Sequence, residues 1–259
     1  MKISVVTICY NAIDGIERTI QSVIGQTYKD IEYIVIDGGS TDGTVDVIKK
    51  YEEYIDRWVS EPDKGIYDAM NKGIKVATGD YIQFLNAGDA YHSEDVLEAL
   101  VPQIAPSIVI AYGKVNFIYS IMSKVREPYP LHYMKKRMPF NHPATFVKTS
   151  YHKEHLFDVS YRSSGDYDFL YKAYYNDQVK FQHIPVIIAD FEAEQGISSS
   201  NYLLRKRENA KVQGIDYTLF WKISYVISSF LYKVKKKVKP FIPNYIVNAR
   251  RKAIIKRLR

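Results

Sequence analysis

The 259-residue sequence predicts an α/β fold: a mostly parallel sheet flanked by helices, then a more irregular second half and a basic, amphipathic helical tail. Three observations carry that expectation. Short β-branched runs alternate with stretches of helical period over residues 1–115. The connections between them are short, and such strand–helix alternation implies right-handed crossovers and a parallel sheet. Three of the strands run into polar or glycine-rich loops that fall on one edge of that sheet.

Taken in order, ISVVTI (3–8) reads as a buried strand, and Ile16, Ile20, Val23 and Ile24 follow at helical spacing. IEYIVID (31–37) is the second strand. Ser40, Thr41 and Asp42 then offer N-caps to a helix carrying Val45, Ile48 and Tyr51. DRWVSE (56–61) is a weaker strand, and GIYDAMNKGIKVA (65–77) a helix with Ile66, Met70, Ile74 and Ala77 on one face. DYIQFL (80–85) is the next strand, and Asp95–Leu100 a helix. Beyond residue 105 the pattern is mixed. IVIAYG and KVNFIY suggest a hairpin around Gly113, ATFVK (144–148) and VKFQHIPVIIA (179–189) suggest strands, and Tyr167–Tyr175 a helix.

Hydrophobic residues make up 46% of the chain, enough for a substantial core. Cys9 is the one cysteine, so no intrachain disulfide can form, which fits a reducing compartment. MKISVVTICYN lacks a small-residue cleavage site, which reads against a signal peptide. No uncharged apolar run reaches the ~20 residues that span a bilayer. The net charge of +7 hides an asymmetry: residues 1–202 hold 20 Lys+Arg against 27 Asp+Glu, whereas residues 203–259 hold 16 against 2. A mildly acidic body therefore carries a strongly basic tail.

In an open parallel sheet, ligands bind beyond the carboxyl ends of the strands. Here those ends are CYN (Cys9–Asn11), DGGSTDGT (Asp37–Thr44) and NAGD (Asn86–Asp89). Alone, Asp37 reads equally as a turn former and Asp42 more readily as a helix cap than a ligand contact; the coincidence of three such loops on one edge favours a site. No G-x-G-x-x-G follows the first strand and no G-x-x-x-x-G-K-[ST] occurs, which argues against a dinucleotide fold or a P-loop.

VVTICYN, IVIDGGSTDGT and DKGIYDAMNKGIKVATGDYIQFLNAGD together resemble the donor-binding half of glycosyltransferase family 2, inverting enzymes with the GT-A fold, a Rossmann-related sheet. The resemblance is strong over residues 1–100 and looser to about residue 190. It implies a domain over 1–202, with a nucleotide-sugar donor half (1–100) and an acceptor half (101–202), and a separate tail over 203–259. It implies that Asp37 hydrogen-bonds the nucleotide base, that Thr7, Tyr10 and Asn11 line the base and ribose pocket, and that Asp63 makes a further donor contact. NAGD matches the metal loop, with Asp89 as the carboxylate that binds Mg²⁺ or Mn²⁺. Asn86 and Gly88 stand where acids are usual: Asn86 supplies only a neutral carbonyl oxygen, and Gly88 lets the backbone approach the ligand. The loop is thus charge-poor, and a diphosphate would complete the ligand set. The donor expected is a UDP-sugar.

In YRSSGDYDFLYKAYYN (161–176), Asp166 and Asp168 precede a helical run. Asp166 fits an N-cap, and by resemblance it matches the catalytic base, with Gly165 replacing the family's Glu. Asp168 would lie about 200° further round a helix, so both acids should not face one substrate. His142, in FNHPATF, reads equally as an acceptor-side residue or a satisfied structural histidine. In the tail, Leu219, Ile223, Ile227 and Phe230 share a helical face beside KVKKKVK (233–239), and NARRKAIIKRLR (248–259) repeats the theme. Three readings stand: a helix packed on the body, a nucleic-acid patch, or an interfacial anchor on an anionic membrane, which the aromatic and cationic mixture favours. The sequence therefore predicts an inverting glycosyltransferase, peripheral on the cytoplasmic face of a membrane, acting on a saccharide or lipid-linked acceptor. The rivals are a non-catalytic nucleotide-sugar binder and a nucleic-acid-binding protein.

Overall fold

The structure, a computed structural model, describes residues 1–120, 122–193 and 202–238. In chain order it runs β1 (Ile3–Cys9), α1 (Ile13–Ile24), β2 (Ile31–Asp37), α2 (Thr44–Lys50), β3 (Arg57–Ser60), α3 (Ile66–Val76), β4 (Tyr81–Phe84), β5 (Ala90–Tyr91), α4 (Val96–Leu100), β6 (Ile110–Tyr119), β7 (Met122–Arg126), β8 (Thr145–Lys148), α5 (Thr149–Glu154), α6 (Gly165–Tyr175), β9 (Phe181–Glu192), α7 (Tyr202–Val212) and α8 (Leu219–Val238). The strands form one sheet in the order β3-β2-β1-β4-β8-β6-β9-β5, with β7 paired to β6. From β3 to β4 every pairing is parallel, and beyond β4 the sheet becomes mixed.

Helices cover both faces, which is why β1 is buried along its whole length and reads as an unbroken apolar run. The two-residue period of the strand splits its side chains between two cores. Ile3, Val5 and Cys9 pack with Ile16 and Ile20 of α1 and Leu97 and Leu100 of α4. Val6 and Ile8 pack with Met70 and Ile74 of α3 and Phe169 and Leu170 of α6. At the lower end of β1 the buried Glu32 carboxylate accepts from Ser4 Oγ, Thr78 N and Thr78 Oγ1, stitching β1 and β2 to the turn ahead of β4.

Several expectations are corrected. Gly113 makes no hairpin: β6 runs straight through it, and the hairpin partner is β7. The glycine is needed because β9 approaches closely. A Cβ there would lie 2.6 Å from Ile188 Cδ1 and 2.7 Å from the Val186 carbonyl, where the β6–β9 register slips. The cap of α2 is Gly43, at φ 99° in the left-handed region, rather than Ser40, Thr41 or Asp42. Asp42 instead accepts from Thr44 N and from Ile13 N, joining the first turns of α2 and α1. The cap of α6 is Ser164, and Asp166 sits inside its first turn. Within the helix over Tyr202–Val212, Glu208, Ala210 and Val212 are buried. Residues 248–259 lie outside the described residues.

The turn ahead of β4 is tight enough to test. A Cβ on Gly79 would lie 2.8 Å from each of the Lys2 carbonyl, Ser4 N and Ser4 Oγ. Gly79→Ala is therefore expected to cost about 1–3 kcal/mol through overpacking against backbone, measured by urea denaturation.

Candidate active site

Three strand ends meet at one corner. Asn11 leaves β1 at φ 46°, unusual for a non-glycine residue, and its Oδ1 accepts from Thr41 N. The adjacent Tyr10 is exposed. A Cβ on Gly38, after β2, would lie 2.4 Å from Asp63 Oδ2 and 3.3 Å from the Tyr10 ring, so a side chain there would displace Asp63. Asp63 is fixed by Gly65 N, which donates to its Oδ1 at 2.7 Å. Tyr10, Gly38 and Asp63 thus form one wall, from loops 28 and 25 residues apart in sequence.

Asp37 and Thr7 are not brought to that wall. Asp37 is fully buried and accepts from Gly39 N, Ser40 N, Ser40 Oγ and Ser60 Oγ, with the Cys9 thiol 3.5 Å away. Burial pushes its carboxyl up, but these donors outweigh it and hold it below the usual carboxylate range. Its acceptor capacity is spent on building the loop. Thr7 is also fully buried, and its hydroxyl donates to the Leu85 carbonyl at 2.8 Å, tying β1 to the start of the NAGD loop.

The NAGD loop turns through Asp89 N donating to the Asn86 carbonyl, with Gly88 at φ 100°. A Cβ on Gly88 would meet nothing within 4 Å, so the left-handed conformation, not space, requires glycine. Helix α1 holds the loop from below: Gly88 N donates to Thr19 Oγ1, and that hydroxyl donates to the Asp89 carbonyl at 2.6 Å. Arg18 donates to the Gly88 carbonyl and lies 3.6 Å from Asp190 of β9. Neither Thr19 nor Arg18 is marked by any local sequence signal, since both simply occupy the helix that the loop lands on.

His142 joins the two halves. Its Nε2 lies 3.1 Å from Asn86 Nδ2 and 3.8 Å from Asp89 Oδ2, and its Nδ1 lies 3.9 Å from Asp166 Oδ2. Burial lowers the imidazole to about 4, so it is neutral at physiological pH. With Asn86 donating to Nε2, the remaining proton sits on Nδ1, facing Asp166. Burial likewise raises Asp89 to about 8, against the opposing pull of the Glu192 backbone N–H and Arg18. Burial raises Asp166 to about 6, opposed by the Tyr167 N–H and the Tyr67 hydroxyl. Those two donors both engage Oδ1, at 2.8 and 3.2 Å. Oδ2 is the oxygen on the His142 side.

Asp168 is held elsewhere. It is buried, accepts from the Tyr161 hydroxyl at 3.2 Å and pairs with Lys172 at 2.7 Å. The turn ahead of Asp166 is held by a residue that the sequence reading missed. Glu208 of α7, itself buried, accepts from Arg162 N, Ser163 N and Ser164 N, each at 2.9 Å. Ser164 Oγ donates to Asn209 of the same helix. One carboxylate from α7 thus serves as an external cap for α6. Beside Asn141 and Phe140, a cavity of about 220 Å³ runs between Arg126, Tyr129 and Arg137.

The residues fit a divalent cation in an open site. Among the described residues no group of three His, Cys, Asp or Glu side chains forms a closed metal cage. Asn86 Oδ1, however, is buried and without a hydrogen-bond partner, and it belongs to the same short loop as the Asp89 carboxylate. An amide oxygen and one carboxylate are hard donors of the kind Mg²⁺ and Mn²⁺ take, with the rest supplied by phosphate and water.

The profile of glycosyl transferase family 2 matches residues 4–161. An uncharacterized glycosyltransferase of Mycobacterium tuberculosis is 36% identical over 180 residues, 66% of this chain and 68% of its own length. A PGL/p-HBAD biosynthesis glycosyltransferase of Mycobacterium bovis is 28% identical over 188 residues, 70% of this chain and 73% of its own. Among solved structures, Staphylococcus aureus TarS 1–349 in complex with UDP-GlcNAc superposes with a TM-score of 0.66 at 19% identity, over 82% of this chain and 66% of that one. The mannosyltransferase PcManGT of Pyrobaculum calidifontis, in complex with GDP-Man and Mn²⁺, does so with a TM-score of 0.64 at 16% identity, over 82% and 62%. At those identities the likeness is one of fold, and the chain spans about two thirds of either structure.

Glu208 carries the prediction here. Glu208→Ala leaves three backbone N–H groups without their acceptor and is expected to cost about 1–3 kcal/mol in a urea melt. Glu208→Gln retains an acceptor oxygen and should cost less. Because the Glu208 charge also raises Asp166, its removal in Glu208→Gln should lower the Asp166 titration midpoint below about 6, read by carboxyl-carbon NMR.

Proposed function

The chain belongs to glycosyl transferase family 2, and on that premise we propose that it is an inverting transferase moving a sugar from a nucleotide-diphosphate donor, a UDP-sugar in the first instance, to an acceptor hydroxyl. The observation that carries this reading is His142 lying between Asp89 and Asp166, 3.8 Å from one and 3.9 Å from the other. A donor-side carboxylate and a half-buried base thus flank His142 from two sides. TarS and PcManGT, which share the fold, were each solved with a nucleotide sugar.

In this reading the nucleotide lies against Tyr10, Asn11, Gly38 and Asp63, and the diphosphate lies over Asn86–Asp89. Asp166 Oδ2 takes the proton of the acceptor hydroxyl while that oxygen bonds to the anomeric carbon from the face opposite the nucleotide. The bond from the anomeric carbon to the diphosphate breaks, and its electron pair leaves on the diphosphate. The Tyr67 hydroxyl and Tyr167 N–H keep Oδ1 occupied and so direct the proton to Oδ2. Asp89 and Asn86 would hold Mg²⁺ or Mn²⁺, whose charge offsets that of the departing diphosphate. His142, neutral, orients the acceptor side without adding charge.

The acceptor is a lipid-linked saccharide, and the protein works at the cytoplasmic face of a membrane. Support comes from α8, on which Leu219 is 74%, Phe220 85%, Val226 66% and Phe230 66% exposed, alongside Lys222, Lys233 and Lys237. No helix among the described residues is long and apolar enough to cross a bilayer, and a basic helix with exposed aromatics suits the interface instead. The relative named for PGL/p-HBAD biosynthesis is consistent with a place in surface glycoconjugate assembly.

Three outcomes are expected. Asp166→Asn should lower kcat about 10²–10⁴-fold with donor affinity by calorimetry unchanged. The wild-type kcat/KM should fall as pH drops through about 6, because the base must be ionised and burial has raised it there. An Asp166→Asn protein that turns over normally would overturn the assignment. Separately, a chain ending after Gly214 keeps α7 and its Glu208 contacts. It should stay folded and bind UDP-sugars, yet lose sedimentation with anionic liposomes, which the full chain should show less strongly as salt is raised.

A further inference from the structure

We propose that the cleft between the 160–162 turn and α7 is a phosphate-binding subsite, built to hold the phosphate of an acceptor or of a lipid headgroup beside the base helix. The cleft has a volume of about 300 Å³, and its walls include Tyr161, Arg162, Arg207, Glu208, Lys211 and Asp216. Three cations face two carboxylates. One of the two, Glu208, is taken up by the backbone N–H groups of residues 162–164, which offset its charge locally. Of the carboxylates that line the cleft, Asp216 then stands against three cations, with Asp158 adding its charge on the Lys211 side.

Two of the cations are held by neutral groups. Lys211 Nζ rides 4.6 Å from the centroid of the Tyr161 ring, and the Arg162 guanidinium donates to the Lys64 carbonyl, a neutral acceptor. Arg207 is exposed on the same helix as Lys211. Guanidinium groups match phosphate oxygens in a planar, bidentate manner, and Lys adds a point charge. The wall is rigid as well as charged, because Glu208 and Asn209 both fix the turn that carries Arg162. Preorganised donors lose little freedom when an anion arrives.

Placement says what the anion belongs to. The turn that lines the cleft leads directly into Asp166, and the helix that lines it also carries α8, through stacking of Tyr202 on Tyr232 and the Lys206–Ser228 hydrogen bond. A saccharide carried on a lipid has phosphate between its sugar and its hydrocarbon. Such an acceptor would place phosphate between the base turn and a membrane-seeking helix, which is where this cleft lies in the chain's connectivity. The identity of the acceptor rests on the transferase reading above, but the anion chemistry does not.

The test uses the full chain saturated with UDP, so that the donor site is occupied, and titrates inorganic pyrophosphate by calorimetry and phosphorus NMR. One further equivalent should bind, more weakly as salt rises. The double variant Arg207→Gln, Lys211→Gln should lose at least about tenfold in that affinity, since two charge-assisted contacts go. Arg207→Lys should retain part of it, and melting temperatures check that each variant is folded. Pyrophosphate that UDP displaces completely, or that binds the double variant as well as the wild type, overturns the subsite. Neither result depends on turnover, so a protein that transfers no sugar can still pass, and one that transfers normally can still fail. Two arms then separate the sources. If acceptor saccharides with an anomeric phosphate have a lower KM than those without, and the double variant erases the difference, the phosphate is the acceptor's. If the double variant instead loses binding to vesicles of phosphatidylglycerol with both KM values alike, the phosphate is a headgroup's.

Discussion

The site depends on the parallel pairing of β1 with β2 on one side and β4 on the other. Cys9 pairs with Asp37, Asp37 with Ser60, and Val6 with Phe84. Because these strands run the same way, every one of them ends at the same edge, and each ending opens into a loop that must satisfy its own backbone. The β1–β4 ladder continues past the strands as Leu85 N donating to the Val6 carbonyl and Ala87 N to the Ile8 carbonyl. The NAGD loop is therefore hung from β1, with Thr19 and Gly15 of α1 beneath it. Shifting β4 by one residue would turn Asn86 and Asp89 away from His142.

Burial then sets the charge at the centre. It raises Asp89 to about 8 and Asp166 to about 6, and lowers His142 to about 4. At neutral pH with no ligand bound, Asp89 is mostly protonated, His142 is neutral and Asp166 is mostly ionised. The loop whose sequence is poor in acids is thus poorer still in charge. A diphosphate approaching it meets less repulsion than two or three ionised carboxylates would present. Each shift has the same cause, the removal of water from the charged form, so the three groups respond together to anything that opens or closes the cleft.

The turn ahead of Asp166 is organised from far along the chain. Glu208 lies 44 to 46 residues after the three N–H groups it serves. Through it α7 supports the turn that leads into Asp166, while α8, attached to α7, presents an unburied apolar face. Buried side chains give way to exposed ones between Val212 and Leu219.

The sequence by itself determined β1 to β4, α1 to α4, β8, α6 and β9, and the edge on which the chemistry collects; β5, β7, α5 and α7 it did not show. What it determined follows from apolar periods of 2 and 3.6 and from residues such as Gly43 and Gly88 that carry their turn conformations locally. It also marked Tyr10, Asn11, Asp63, Asn86, Asp89 and Asp166 as polar groups at strand ends or a helix start; the structure places Tyr10 and Asp63 beside Gly38, and Asn86, Asp89 and Asp166 around His142. Tertiary structure decided what each polar group faces. Thr7 and Asp37 occupy positions indistinguishable in sequence from cleft residues, yet each is turned inward and consumed by the loops it supports. Gly113 read as a turn because nothing local records that β9 passes against it. Glu208 read as one acid in a basic tail because its partners are backbone N–H groups, which every residue has and no sequence pattern displays. Period and turn chemistry act over a few residues, whereas a buried carboxylate is satisfied by whatever the fold brings near it, and that depends on the whole chain.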